Sequence, residues 1–186
     1  MDNALRERVI VINEKIITYY ISRHIINSIL KEVSIIMKVL IVFSTTYGNT
    51  QKVAELIADG INSVEDNETV VSNVKGFDIN EDKTYDLIII GSPNHGGHHT
   101  KSIKKFINNL PTTTLKFNSF AVFDTYMGKD FEKAVKAMEK HITEVFPNST
   151  IALPGLSIKV GRIKGPIVEE DLVKCKEYGT KLAKKE

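Results

Sequence analysis

Apolar residues fall along this chain in two patterns, unbroken short runs and stripes at three-and-four spacing. Residues 39–43 (Val-Leu-Ile-Val-Phe) form the first run; being apolar throughout and rich in β-branched side chains, it predicts a strand buried on both faces. A polar loop, Ser44 to Thr50, leads into a stripe of Val53, Ala54, Ile57, Gly60 and Ile61, the pattern of an amphipathic helix. Residues 69–74 alternate as an outer strand, and residues 78–82 are turn-forming, with room for little more than one helical turn. Residues 86–91 predict a third strand, opening into a loop at 92–100, and then a helix with Ile103, Phe106, Ile107 and Leu110 on one face, ended by Pro111. Residues 117–124 predict a fourth strand, opening at Thr125, and Phe131, Ala134, Val135, Met138, Ile142 and Val145 a helix stopped by Pro147. A fifth strand begins at 150–153, is broken by Pro154-Gly155, and is followed by a last helix over 169–184. Five strands alternating with helices imply an α/β domain with a parallel, doubly wound sheet and right-handed crossovers.

The loop after the first strand carries the most specific chemistry. Ser44, Thr45, Thr46, Tyr47 and Thr50 supply hydroxyls, Asn49 an amide, and Gly48 room for close backbone approach. The first turn of a helix has N–H groups without intrahelical partners and a partial positive charge. A phosphate is therefore held there without lysine or arginine, and this loop has neither. Neither a G-x-x-x-x-G-K-[ST] nor a G-x-G-x-x-G pattern is present. The alternative is an ordinary strand-to-helix turn, which needs one capping residue rather than seven polar or glycine residues in succession.

Taken together, Ile41-Val42-Phe43-x-Thr45-x-x-Gly48-x-Thr50-x-x-x-Ala54-x-x-Ile57 resembles the FMN-phosphate signature of the flavodoxin family at every specified position. Asp171, Cys175, Tyr178, Gly179 and Ala183 resemble the last helix of short-chain flavodoxins. The resemblance implies a flavodoxin-like, doubly wound five-stranded parallel sheet with helices on both faces. The strand order 2-1-3-4-5, with the flavin at the switch between strands 1 and 3, is carried over from the flavodoxins themselves. It also implies that Thr45, Thr46, Tyr47, Gly48, Asn49 and Thr50 bind the FMN phosphate, with Tyr47 standing where the commonest version has threonine. The long insertion of long-chain flavodoxins has no room here.

The resemblance makes the loops after strands 3 and 4 the walls of the flavin slot. In the first, Pro93, Asn94, His95, Gly96 and Gly97 are expected to border the ring, one peptide turning its carbonyl toward flavin N5. In the second, Asp124, Thr125 and Tyr126 are expected at the cofactor, with Tyr126 stacking on the ring. His95, His98 and His99 lie in the first loop with no carboxylate or thiolate beside them. They are expected at the rim of the cofactor mouth rather than at a metal, and no metal ligand set is assigned. Lys101, Lys104 and Lys105 form a solvated helix face, open also to an acidic partner or a nucleotide phosphate.

Composition narrows the classes further. The 186 residues are 42% hydrophobic with a net charge of +2, which suits one globular domain and leaves no nucleic-acid footprint. Residues 1–36 differ from the rest in holding ten isoleucines with neither glycine nor proline. This abrupt shift predicts a flavodoxin-like domain over 37–186 and an upstream extension that is an artefact of the assigned start; an added amphipathic helix and a membrane anchor are the alternatives. No uncharged run there exceeds the length of Ile16 to Ser22, well short of the ~20 residues of a membrane span. Five of the 25 Lys and Arg and four of the 23 Asp and Glu lie upstream, leaving 20 against 19 in the domain. That balance departs from the strongly acidic flavodoxins. The lone Cys175 fits a reducing cytoplasm.

The expected function is that of a flavodoxin, an FMN-binding carrier of single electrons between soluble redox proteins rather than a substrate-converting enzyme. An NAD(P)H-dependent FMN or quinone reductase of the same fold is the runner-up. A flavin-free interaction module is the third possibility.

Overall fold

The computed structural model describes residues 36–64 and 67–184. The expectations for residues 1–35 lie outside the described residues. The chain runs β1 (Lys38–Phe43), α1 (Asn49–Asn62), β2 (Glu68–Asn73), β3 (Thr84–Pro93), α2 (Lys101–Asn109), a 3-10 turn (Leu110–Thr112), β4 (Lys116–Tyr126), α3 (Lys133–Val145), β5 (Thr150–Ile151), β6 (Leu156–Lys159) and α4 (Glu169–Lys184). All strand pairs are parallel and the order is β2-β1-β3-β4-β5, with β6 also on β4. This is the doubly wound fold that the resemblance implies.

Side chains of the central strands alternate between two cores, because successive residues of a strand point to opposite faces. Val39, Ile41, Phe43, Leu87, Ile89 and Phe123 pack with residues of α1 and α4. Leu40, Val42, Ile88, Ile90, Phe120 and Val122 pack with residues of α2 and α3. With helices on both sides, neither face of β1 or β3 can be polar, which is why those strands read as unbroken apolar runs. Each fully buried Ile or Leu contributes roughly 1.5–3 kcal/mol over an exposed one.

β5 and β6 are two pieces of one edge strand. Thr150 and Ile151 pair with Ser119 and Phe120, whereas Leu156 to Lys159 pair with Phe123 to Tyr126, so the register slips by two residues at the Pro154-Gly155 break. Glu139 on α3 accepts a hydrogen bond from the Gly155 N–H at 2.8 Å and anchors the slip. The β2–β3 connection carries turns and no helix, including an Asx turn in which the Asn80 N–H donates to Asp78.

Two strands run longer than their apolar patterns suggest. Pairing of β3 with β4 continues through Ser92 with Asp124 and Pro93 with Thr125, and β4 continues on β6 as far as Tyr126. Pro93, Thr125 and Tyr126 therefore end strands instead of opening loops. Parallel hydrogen bonding extends the strands past the point where hydrophobicity stops, and Pro93, as the last residue of β3, withholds no N–H that the interior of the ladder needs.

Candidate functional site

The C-terminal ends of β1, β3 and β4 meet at one edge of the sheet, and a cleft of about 510 Å³ opens there, within the range of small-molecule sites. Thr45, Thr46, Tyr47, Asn49 and Thr50 line it from the β1–α1 turn, and Pro93, Asn94, His95 and Gly96 from the end of β3. Thr125 and Met127 to Asp130 line it from the end of β4, and Val160 and Ile163 from the segment after β6.

The β1–α1 turn leaves a helix end open. Gly48 occupies the N-cap position at φ 85, ψ −11, and no side chain caps α1. That backbone region is costly for residues with a Cβ. Thr45 Oγ1 accepts from the Gly48 N–H at 2.9 Å, which holds the turn in shape. At α2, by contrast, Thr100 occupies the N-cap and accepts from the Ile103 N–H at 3.4 Å. Thr50 is buried and its hydroxyl meets that of Thr125 at 3.0 Å, tying the start of α1 to the end of β4.

Asn94 braces the two loops beside the cleft. Its N–H donates to the Thr125 carbonyl at 2.8 Å, its Nδ2 to the Asp130 carbonyl at 3.0 Å, and its Oδ1 accepts from the Gly97 N–H at 2.8 Å. His95 and His98 exchange backbone hydrogen bonds around Gly96 and Gly97, both at positive φ. The result is a tight turn whose His95–Gly96 backbone borders the cleft.

Asp124 and Gly97 are absent from the lining. Asp124 is fully buried behind the cleft, where it accepts from the Ser157 hydroxyl at 2.5 Å and the Val135 N–H at 3.3 Å. Burial pushes its carboxyl up to about 6 against the opposing pull of those hydrogen bonds. It serves as an internal clamp between β4, β6 and α3.

Tyr126, expected to stack on the ring, is likewise not among the cleft-lining residues. Because β4 continues through Tyr126, strand alternation sends Thr125 to the cleft and Tyr126 to the opposite side, edge-on to Phe131 at 5.5 Å. The apolar cleft residues are Tyr47, Pro93, Met127, Val160 and Ile163. Val160 and Ile163 reach it through the two-residue slip of the edge strand, a long-range feature signalled locally only by Pro154-Gly155.

The histidines separate. His95 lines the cleft, whereas His98 and His99 border a second cavity with His141 of α3. His99 stacks on His141 with their ring nitrogens 3.1 Å apart. Burial, followed by the neighbouring His141, pushes His99 down to about 4, so it is neutral near pH 7. Of the three expected at the rim, only His95 lines the cleft, because the tight turn at Gly96-Gly97 carries the next two residues back toward α3. Among the described residues no group of three His, Cys, Asp or Glu is placed to hold a metal. Cys175 is buried, with its Sγ donating to the Asp171 carbonyl at 3.2 Å.

Comparison with known proteins agrees with this architecture. The family model of the flavodoxin domain matches residues 40–156. A flavodoxin of Aquifex aeolicus is 33% identical over 73 residues, 39% of this chain and 40% of that protein's own length. An uncharacterized protein of Methanocaldococcus jannaschii is 32% identical over 155 residues, 80% of this chain and 99% of that protein. Among solved structures, a flavodoxin from the domain Archaea superposes with a TM-score of 0.66 at 27% identity, covering 80% of this chain and 98% of that one. A parallel sheet of this strand order with helices on both faces defines a protein of the doubly wound α/β class. Within that class, this chain belongs to the flavodoxin domain family.

Proposed function

We propose that this protein binds FMN in the cleft and carries single electrons between redox proteins, as a short-chain flavodoxin does. The observation that carries this reading is the uncapped N-terminus of α1, ringed by the hydroxyls of Thr45, Thr46 and Thr50 and the Asn49 amide. These groups fit a phosphate. Gly48 leaves open space, with nothing within 4 Å of where its Cβ would be, so the backbone can be approached closely. The remaining cleft fits a flavin ring, with Met127, Ile163 and Tyr47 offering apolar surface and the backbone of His95 and Gly96 offering polar groups.

Bound FMN supplies reversible transfer of one or two electrons with their protons. The chain's own part is to bind, orient and shield. The first turn of α1 anchors the phosphate end, and the Thr50–Thr125 contact fixes that anchor relative to β4. Asn94 holds the two walls at a set separation through its three hydrogen bonds. Rigid walls preorganise the slot and exclude water from the ring. Partners would be other redox proteins, and the reducing cytoplasm is the setting that the lone, buried Cys175 fits. No helix among the described residues is long and apolar enough to cross a membrane.

Binding of FMN and of riboflavin, followed by quenching of flavin fluorescence, tests this site. Wild type is expected to bind FMN far more tightly than riboflavin, which lacks the phosphate. Thr45→Ala/Thr50→Ala should weaken FMN binding about tenfold or more, equivalent to one or two hydrogen bonds to a charged group, and leave riboflavin binding little changed. Equal loss for both ligands, or no loss for FMN, would sink the phosphate assignment.

A further inference from the structure

We propose that the mouth of the cleft is a docking surface for an acidic redox protein, one that presents carboxylates around its own exposed cofactor edge. This rests on the electron-carrier reading above and adds to it the chemistry of the partner. Asp130 is the single carboxylate among the cleft-lining residues, and Lys133 already pairs with it at 2.6 Å. Glu132 beside it is paired with Lys136 at 2.8 Å. The cations at the mouth are not matched in this way. Lys129 lines the cleft, and Arg162 and Lys164 flank the cleft residue Ile163. All three are exposed, and among the described residues none of them is in an ion pair. Lys164 holds its ammonium 6.0 Å from the centre of the Tyr47 ring, over the same mouth. Glu169 and Glu170 lie in the first turn of α4 and line no part of the cleft.

Apolar surface gathers at the same place. Tyr47, Met127 and Ile163, all cleft residues, are between 41% and 64% exposed. They are three of the eight large apolar residues exposed among the described residues. Scattered exposed apolar residues need no explanation, but a group of them inside a charged rim has the composition of a contact surface. With the domain nearly charge-balanced as a whole, the local cationic excess sets the orientation of approach. Unpaired rim charges speed the encounter with a partner of opposite sign and are screened by salt.

The test uses the FMN-loaded protein, chemically reduced, with ferricytochrome c as electron acceptor. Native cytochrome c is basic, and succinylation of its lysines reverses the charge while keeping the haem. Each encounter passes one electron from the flavin to the ferric haem, with the flavin proton released to solvent. At low ionic strength the succinylated form is expected to react about tenfold faster or more, an advantage that shrinks severalfold as salt is raised. Lys129→Glu/Arg162→Glu/Lys164→Glu should invert the preference, and the milder Arg162→Gln/Lys164→Gln should reduce it. Lys105→Glu/Lys116→Glu/Lys181→Glu, with an equal charge change away from the mouth, should largely preserve it. A faster reaction with the native basic form, or equal effects of the mouth and control variants, overturns the proposal. Absence of FMN binding overturns it together with the carrier reading; bound FMN with no charge preference overturns the docking surface alone.

Discussion

Asp124 is an ionisable side chain sealed between β4, β6 and α3, and burial, against the pull of its hydrogen bonds, lifts its carboxyl from 3.8 to about 6. The folded protein therefore keeps a proton through a pH range in which the unfolded chain has released it. Stability from this group is fully present below pH 4 and is lost as pH rises through 6. Asp124→Asn removes that dependence. Relative to wild type, the variant is expected to gain on the order of 2–3 kcal/mol between pH 4 and pH 7, read from denaturant midpoints at the two values. A wild-type advantage that grows with pH over this range would show the carboxylate to be preferred in its clamp. The role of Asp124 behind the cleft was hidden at the level of single residues because its partners, Val135 and Ser157, are distant in sequence. The place of Tyr126 outside the cleft lining was hidden for a related reason. Its orientation depends on strand alternation carried two residues beyond the apolar run. Thr45, Thr46 and Thr50, brought together by one short turn, all line the cleft.

Among elements, α1 and α4 come close enough for backbone to touch backbone. A Cβ on Gly60 would lie 2.1 Å from the Lys176 carbonyl oxygen, and one on Gly179 would lie 2.1 Å from that of Ile57. Thr180 adds a hydrogen bond from its hydroxyl to the Gly60 carbonyl at 3.3 Å. Alanine is the better helix former by about 1 kcal/mol, yet Gly60→Ala and Gly179→Ala are each expected to destabilise by ~1–3 kcal/mol through forced separation of the helices. Equilibrium unfolding checks this, and stabilisation by either alanine would contradict the close crossing. Gly60 was readable on the apolar stripe of α1, and Gly179 in the last-helix motif, but their apposition was not, since it depends on how α4 returns across the sheet. The order and type of the elements followed from periodicity. The strand ends did not, because the β3–β4 ladder is closed by main-chain hydrogen bonds that carry no side-chain signal.

For the whole molecule, the two-sided core places the ends of β1, β3 and β4 side by side, and that placement gathers three separate loops into one cleft. A parallel sheet of this order has its switch point there, so the position of the cleft was legible once the strand order was taken from the resemblance. The contribution of residues 160–163 was not legible, because it depends on the slip between β5 and β6. The role proposed for this cleft is to hold FMN as a one-electron carrier. An anaerobic reductive titration of the FMN-loaded protein, followed by visible absorption, tests it most directly. Two separated one-electron steps are expected; a single two-electron bleaching, or a protein that takes up no FMN, would contradict the carrier role.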